Sequence, residues 1–527
     1  MEMPIDFIKE ILETDFVAKK ERVQNVIEGD ILVPDSRPDI SRIISVDGRI
    51  RVQGETIEDG KVIVEGTVNF NVLYVSESEE ESLCNVESST VFKQEIELEN
   101  ITPKMQSEVA VEIEHIDFTM NNERKIGVKA IANLTCNVIE KKNSEIMINA
   151  EGPDDLQILR NKFNYSSVIE KRSEEILIKD AFEIEDNLPE IKEIIKLNSR
   201  ISEKETKITD KKIIVGGVLL VEIMYITEEN RNLLCHYKME IPFTNFIEMD
   251  EALSDMMYSS SIKLNSIDTK LIENIRGENR IIEIEAFVQL DAKIIENIEK
   301  NLIVDVYSPK QGLELEKKMI LFSRRLETKE KSVSLSESLN VPVESPGIEK
   351  IVSVKAKTLV SDYHEEDGKI VIEGVLGIEV LYMAGSDLQL LYSFEQEIPF
   401  RQYVELGSAY EDIDAEIELS DARVKYELVG KNRIDIVANF DVECEVYLSE
   451  EAHLISEITE AEIKEGIEER PSLTIYSIQS GDTLWEIAKK YNSTVEIIIE
   501  SNNIEDPQNL KINEYLLIQK ESQFQLN

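Results

Sequence analysis

Hydrophobic and polar positions alternate along a run that occurs three times in the chain. In the first copy, Val68, Phe70 and Val72 share one parity, while Asn69 and Asn71 occupy the other. A period of two with β-branched and aromatic residues is typical of a strand with one buried and one solvated face. The pattern therefore predicts a body built mainly from antiparallel β-strands.

The three runs keep a fixed spacing from an upstream motif, which identifies them as copies of one module. Each run ends in a tyrosine, namely Tyr74, Tyr225 or Tyr382, and each follows a Pro-x-Ile-x-x-Ile pattern. The copies are KVIVEGTVNFNVLY (61–74), KIIVGGVLLVEIMY (212–225) and KIVIEGVLGIEVLY (369–382). The motif prolines Pro38, Pro189 and Pro346 are displaced by the same 151 and 308 positions as the tyrosines. The sequence therefore predicts three repeated modules.

The second copy has drifted from the other two. Ala130 matches Ala438 at the displacement of 308, whereas Ala286 is displaced from Ala130 by 156 instead of 151. This difference predicts a short insertion in the second module.

Each module is expected to be an antiparallel β-sandwich or an open barrel of about 120–130 residues. A glycine recurs in the middle of the repeated strand, at Gly66, Gly217 and Gly374, where it suits a bulge or a close backbone approach. The segments just after the motif prolines are compatible with either short helices or the starts of strands.

The pattern of apolar and polar residues changes after residue 471, where the sequence predicts a small βααβ unit. Thr483 is a helix N-cap with Glu486 three residues on, and Thr494 is the cap of a second helix. Short strands are predicted before the first helix and from Tyr515 to Ile518. The predicted division of the chain is 1–155, 156–315 and 316–455 for the β modules, 456–471 for a linker, and 472–520 for the α+β unit.

The C-terminal unit resembles the LysM family. The resemblance is carried by Tyr476-x-Ile478-x-x-Gly-Asp-Thr-Leu-Trp485-x-Ile-Ala-x-x-Tyr491, followed by Asn503, Pro507, Leu510 and Leu516-x-Ile518. LysM domains commonly bind N-acetylglucosamine polymers in a shallow groove between the first strand–helix turn and the loop after the second helix. By position, the resemblance implies a groove formed by Gly481, Asp482, Thr483, Asn503, Ile504 and Glu505.

Two further residues complete the candidate partner-binding set of this domain. Asn513 replaces a glycine that is usual before the last strand, and asparagine tolerates a left-handed backbone. Trp485 is the only tryptophan in the chain and adjoins the first groove turn. A packing role for Trp485 is favoured over direct ligand contact.

The charge balance narrows the classes of partner. Acidic residues outnumber basic ones by 106 to 58, which gives a formal net charge of −48. Such a field disfavours binding to nucleic acid or to anionic lipid surfaces. The acidic start of the chain does not resemble a signal peptide, and no apolar run has the length of a membrane span. The four dispersed cysteines suit reduced thiols, so we expect a soluble intracellular protein without membrane insertion.

The sequence offers no catalytic constellation. It contains no G-x-x-x-x-G-K-[ST] loop, no G-x-S-x-G elbow and no H-E-x-x-H helix. The four histidines stand alone, without a second ligand at metal spacing. We therefore expect a protein that is not an enzyme, with no cofactor and no metal site.

Three such β modules followed by one LysM domain resemble the SPOCS-domain spore-coat morphogenesis family of endospore-forming clostridia, of the SipL type. The Pro-Asp-Ile segment at Pro38 and the tyrosine-ended strands carry this resemblance. It implies a scaffold in the mother-cell cytoplasm at the forespore surface, whose LysM domain binds a polymerising coat-basement ATPase; other coat proteins are further candidate partners. The alternative is a wall-associated protein that binds peptidoglycan, and an enzyme acting on glycan has no residue support.

Overall fold

The structure is a computed structural model of the 527-residue chain. It describes residues 6–77, 83–152, 155–227, 234–385, 390–408, 410, 413–461, 471–507 and 509–520.

The first module is a sandwich of two three-stranded antiparallel sheets. Its strands are β1 Asp6–Leu32, β2 Ile40–Glu58, β3 Lys61–Ser76, β4 Leu83–Glu97, β5 Gln106–Asn122 and β6 Lys125–Glu151. The strand orders are β1-β6-β5 and β2-β3-β4. Apolar residues of one parity from both sheets fill the space between them.

The second module repeats this arrangement. Its strands are β7 Gln157–Glu183, β8 Ile191–Thr209, β9 Lys212–Thr227, β10 Leu234–Glu248, β11 Met257–Glu273 and β12 Asn279–Tyr307. The sheet orders, β11-β12-β7 and β10-β9-β8, match those of the first module.

The third module differs in one strand. Its strands are β13 Gly312–Asn340, β14 Ile348–Glu366, β15 Lys369–Ala384, β16 Leu390–Glu405, β17 Ile413–Leu419, β18 Arg423–Val429 and β19 Arg433–Ala461. The place of β5 is taken by β17 and β18, which both pair with β19. The prediction of a mainly β fold with three repeated sandwich-like modules is confirmed.

The two parts of the repeat motif meet in space, which explains their fixed spacing. The hydroxyl of Tyr74, fully buried at the end of β3, donates a hydrogen bond of 3.1 Å to the carbonyl of Pro38. Tyr225 and Tyr382 make the same bond to Pro189 and Pro346, at 3.4 and 3.0 Å. The segments after the prolines are therefore strand starts, because β2, β8 and β14 begin there.

The recurrent mid-strand glycine makes room for an aromatic ring on the neighbouring strand. A Cβ atom at Gly374 would overlap the ring of Phe400 on β16 and the carbonyl of Leu359 on β14. A register shift between Val360 and Asp362 lies opposite this glycine. Both predicted roles, a bulge and a close approach, therefore occur at the same position.

The insertion predicted in the second module lies in the turn between β11 and β12 and at the start of β12. Ala130 pairs with Ile116 on β5, and Ala286 pairs with Ile267 on β11. Ile267 is displaced from Ile116 by 151, whereas Ala286 is displaced from Ala130 by 156. Of the five additional residues, three lengthen the turn, which covers 274–278 instead of two residues, and two lengthen the start of β12.

The cysteines belong to the cores of the modules. All four are free thiols, and Cys136 and Cys444 are completely buried. Burial raises the pKa of the Cys136 thiol to about 11 and that of Cys444 to about 12. Both thiols are therefore protonated at neutral pH and act as small apolar side chains.

The three modules close into a ring around a pseudo-threefold axis. A basic residue stands at the same repeat position in each module: Arg49, Arg200 and Lys357. Each donates a hydrogen bond to the following module, and that of the third module returns to the first. The acceptors, in the same order, are Ser199 Oγ at 2.7 Å, the Ala422 carbonyl at 2.8 Å and the Ile113 carbonyl. Head-to-tail contacts that close in this way leave no free end for further modules.

A shared apolar cluster lies where the modules meet. Equivalent positions of all three contribute to it, including Ile44, Ile195 and Val352 on the first strands of the motif sheets. The ring is therefore held by an apolar contact as well as by the polar contacts around it.

Six long strands extend beyond the module cores and form a stalk. The strands β1, β6, β7, β12, β13 and β19 each have 27 to 29 residues, which corresponds to about 90 Å at ~3.3 Å per residue. Their distal halves pack into one cluster consisting of Leu12, Ile146, Phe163, Tyr165, Leu302, Ile320, Phe322, Ala452 and Leu454. We call the end of this stalk, where β12 finishes at Tyr307, the tip.

Two strands of the third module extend across the predicted boundaries between domains. β13 begins at Gly312, before the predicted start of the third module at residue 316. β19 continues to Ala461, so residues 456–461 of the predicted linker are strand. The remainder, 462–470, lies outside the described residues. Among the described residues, no helix combines the length and apolar character that a membrane crossing requires.

Candidate binding site in the C-terminal domain

The C-terminal unit folds as the predicted βααβ domain. Its elements are β20 Leu473–Ser477, α1 Leu484–Tyr491, α2 Val495–Asn502 and β21 Tyr515–Gln519, with β20 antiparallel to β21. Thr483 caps α1 by accepting from the backbone N–H of Glu486 at 3.2 Å. Thr494 caps α2 in the same way, accepting from Ile497 at 3.2 Å. The capping pattern that was visible in the sequence thus positions both helices.

The first predicted groove loop joins β20 to α1. Gly481 has a positive φ of 91°, a conformation that glycine adopts without steric cost. Asp482 accepts hydrogen bonds of 2.8 Å from the Gln479 N–H and from the Tyr476 hydroxyl. These two donors hold the pKa of the Asp482 carboxyl below its ordinary value, so the loop carries a fixed negative charge. Gly481 and Thr483 are exposed.

The second predicted groove loop follows α2. Asn503 ends the helix in a left-handed conformation, with φ of 53°. The N–H of Ile504 donates to the Ile499 carbonyl at 3.1 Å, and the Ile504 side chain packs against the domain core. Glu505 is exposed.

Asn513 lies in the turn before β21 and not in either loop. It has a left-handed φ of 69°, and its N–H donates to the Ile478 carbonyl at 2.9 Å. This turn therefore borders the start of the first loop. Asn502, which sequence reasoning did not select, ties α2 to β21 because its side chain bonds both the N–H and the carbonyl of Leu517.

Trp485 points away from solvent toward the stalk tip. Its indole N–H donates to Asp305 Oδ2 at 2.8 Å, and its ring meets the ring of Tyr307 edge-on at 4.9 Å. Lys489, one turn later on α1, bonds the same carboxylate at 2.6 Å. The structure thus places Trp485 in a contact between domains.

Other contacts complete the attachment of the LysM-like domain to the tip. The Tyr307 hydroxyl donates to the Ser493 carbonyl at 3.0 Å, and the Asn492 amide donates to the Pro309 carbonyl at 3.3 Å. Tyr307 is 6% exposed and belongs to the hydrophobic core of the C-terminal domain. Sequence reasoning missed Asp305 and Tyr307, since they lie about 180 residues upstream of their partners.

Clusters of metal-ligating side chains and surface depressions would be signs of another site in the described residues. Within the ranges that the structure describes, no group of three or more His, Cys, Asp or Glu side chains could hold a metal ion. Two surface depressions on the third module, along β13, β18 and β19, are lined mainly by polar residues such as Ser332, Asp441 and Lys425.

The fold and the two loops define a repeat protein that carries a small binding domain, and comparison with known families identifies both parts. The LysM domain family matches residues 476–519. The family described as SipL, SPOCS domain matches residues 39–121, 190–272 and 347–429. The chain is therefore a SPOCS-domain protein of the SipL type with a C-terminal LysM domain. No curated protein and no solved structure matches it.

The family matches agree with the internal repeat. The three SPOCS matches are displaced by 151 and 308, as the motif tyrosines are. Each match spans the strands from the first motif strand to the one that follows the motif sheet, whereas the long stalk strands β1 and β6 fall outside it. SPOCS and LysM domains are non-catalytic binding domains. Their combination identifies the chain as a sporulation-related protein with a LysM carbohydrate-binding module.

Proposed function

We propose that this protein is a non-catalytic scaffold of endospore coat assembly, which binds a polymerising coat-basement ATPase through its LysM domain. The observation that carries the proposal is the position of this domain at the tip of the stalk. Its groove residues Gly481, Thr483, Asn503 and Glu505 are exposed there, while Trp485 faces the stalk. A binding site fixed at one end of a long body suits a protein that joins two layers.

The other end of the molecule supports the same proposal. The SPOCS modules form a closed ring at the end of the stalk opposite the LysM domain. This ring offers three related surfaces for other coat proteins. Several weak contacts on one chain increase its overall avidity without any single strong site. The net charge of −48 favours solubility until a specific partner binds. We place this activity in the mother-cell cytoplasm, at the forespore surface.

Glycan binding is the second candidate function, and one observation favours it. The two loops that bind N-acetylglucosamine polymers in LysM domains keep an ordered geometry, with Gly481 at positive φ and Asp482 held by two hydrogen bonds. A ligand of peptidoglycan type would require the protein to reach a cell wall. The two candidates therefore differ in ligand class and can be separated by direct titration.

The test is a parallel titration of the full chain with purified coat-basement ATPase and with chitohexaose. We expect saturable binding of the ATPase and none of the sugar. Glu505→Lys should weaken ATPase binding about tenfold, which corresponds to ~1.4 kcal/mol. Glu500→Lys is the matched control, because Glu500 is exposed on α2 outside both loops. Micromolar binding of chitohexaose without binding of the ATPase would contradict the proposal and support the wall-associated alternative.

A further inference from the structure

The surface that receives Trp485 lies at a structural position shared by all three modules. The stalk consists of three ribbons, the strand pairs β1–β6, β7–β12 and β13–β19. Each ribbon has a register shift near the tip, between Ile8 and Lys9, between Ile303 and Asp305, or between Glu316 and Lys317. The residues of the central strands that pair just beyond this bulge are Asn149, Asp305 and Glu457. Two positions further on stand Glu151, Tyr307 and Thr459.

Only the second module provides the chemistry that Trp485 needs. A buried indole N–H requires an acceptor, and Asp305, with 15% of its side chain exposed, supplies one together with a charge for Lys489. Asn149 has no charge to pair with Lys489. Glu457 is exposed on its strand. The first and third modules also lack an aromatic ring at the position of Tyr307.

Trp485 makes a specific contact, because it meets one aromatic partner, Tyr307, and one charged partner, Asp305. An edge-to-face ring pair and a charge-assisted hydrogen bond both depend on orientation, unlike simple apolar burial. Lys317 lies 3.9 Å from Asp305 Oδ1, so a stalk cation also faces this carboxylate. The contact therefore determines how the LysM domain is turned as well as where it sits.

We propose that the bulged end of β12, formed by Asp305, Tyr307 and the Pro309 carbonyl, is a dedicated docking surface for the chain's own LysM domain. Asp305 is a positioning residue that fixes the direction in which the groove faces. Trp485 is its partner and not a ligand contact. This inference does not depend on which ligand the groove binds.

The only tryptophan of the chain is at the contact, so its fluorescence reports docking directly. In full-length Asp305→Ala protein we expect the emission maximum to move to longer wavelength and acrylamide quenching to increase. Glu457→Ala removes the equivalent carboxylate of the third module and should change neither. Asp305→Asn keeps an acceptor for the indole but not the charge for Lys489, so its emission maximum should lie between those of Asp305→Ala and the wild type.

A second variant separates undocking from misfolding of the stalk. Lys489 lies on α1 and is 41% exposed, so Lys489→Ala removes one partner of Asp305 without altering the second module. It should shift the emission in the same direction as Asp305→Ala, with an unchanged far-ultraviolet circular dichroism spectrum. The inference is overturned if Asp305→Ala and Lys489→Ala both retain wild-type emission and quenching.

Discussion

Replacement of Lys196 by methionine is expected to lower the free energy of unfolding by about 3–5 kcal/mol, because it leaves two carboxylates without one of their cations. Only 3% of the Lys196 side chain is exposed, and it lies where the three modules meet. Its Nζ contacts Asp47 Oδ2 at 2.8 Å and Ser45 Oγ at 3.0 Å in the first module. It also contacts Glu379 Oε1 of the third module at 3.0 Å.

The geometry explains why this ion pair network stabilises the ring. Lys355 joins the same two carboxylates, at 2.7 Å from Asp47 and 3.4 Å from Glu379. Burial alone would lower the pKa of Lys196, but Glu379 and Asp47 outweigh it and hold this pKa above its ordinary value. Burial would likewise raise the pKa of Asp47, and Lys355 and Lys196 lower it instead. Lys196 and Asp47 are therefore both charged at neutral pH.

Urea unfolding followed by circular dichroism measures this effect. Lys318→Met is the matched control, since Lys318 is exposed on β13. It should change the unfolding midpoint little, because exposed positions away from such networks tolerate substitution. An equal midpoint for Lys196→Met and Lys318→Met would show that the network does not hold the ring.

Phe322→Ala, a substitution in the stalk, should lower the free energy of unfolding by about 3–5 kcal/mol, because removal of a large buried ring leaves a cavity. Phe322 on β13 is 1% exposed. Its ring lies 5.2 Å from that of Phe163 and 5.0 Å from that of Tyr165, both on β7. The substitution therefore removes the aromatic contact between the ribbons of the second and third modules.

Met319→Ala controls for truncation on the same strand, because Met319 is 52% exposed. Thermal unfolding of both full-length variants gives the comparison. We expect a clearly lower midpoint for Phe322→Ala alone. Similar midpoints would mean that the distal cluster is not a cooperative part of the fold.

The repeat and the strands could be predicted because their signals are local or periodic. Alternation along the run that ends at Tyr74 reports one buried face, and a constant displacement aligns the modules. The caps Thr483 and Thr494 likewise act over three residues. These features depend on residues close in the chain, so the LysM fold and the β modules were both visible in the sequence.

The stalk and the ring could not be predicted because they depend on distant partners. The apolar positions of β6 alternate in the stalk as they do in the module core. The pattern therefore does not reveal where the strand passes from one to the other. Lys196 meets Asp47 and Glu379 only after three modules have folded. Trp485 is similar: its signature identified the LysM family, but its acceptor Asp305 lies 180 residues away.

The proposed function depends on where the molecule acts, and a fluorescent fusion of the full chain in sporulating cells tests this most directly. The scaffold proposal predicts a ring of fluorescence around the developing forespore. It also predicts that Glu505→Lys disperses this ring through the mother cell, whereas Glu500→Lys retains it. Fluorescence that decorates the outer cell wall and does not respond to either substitution would contradict the proposal.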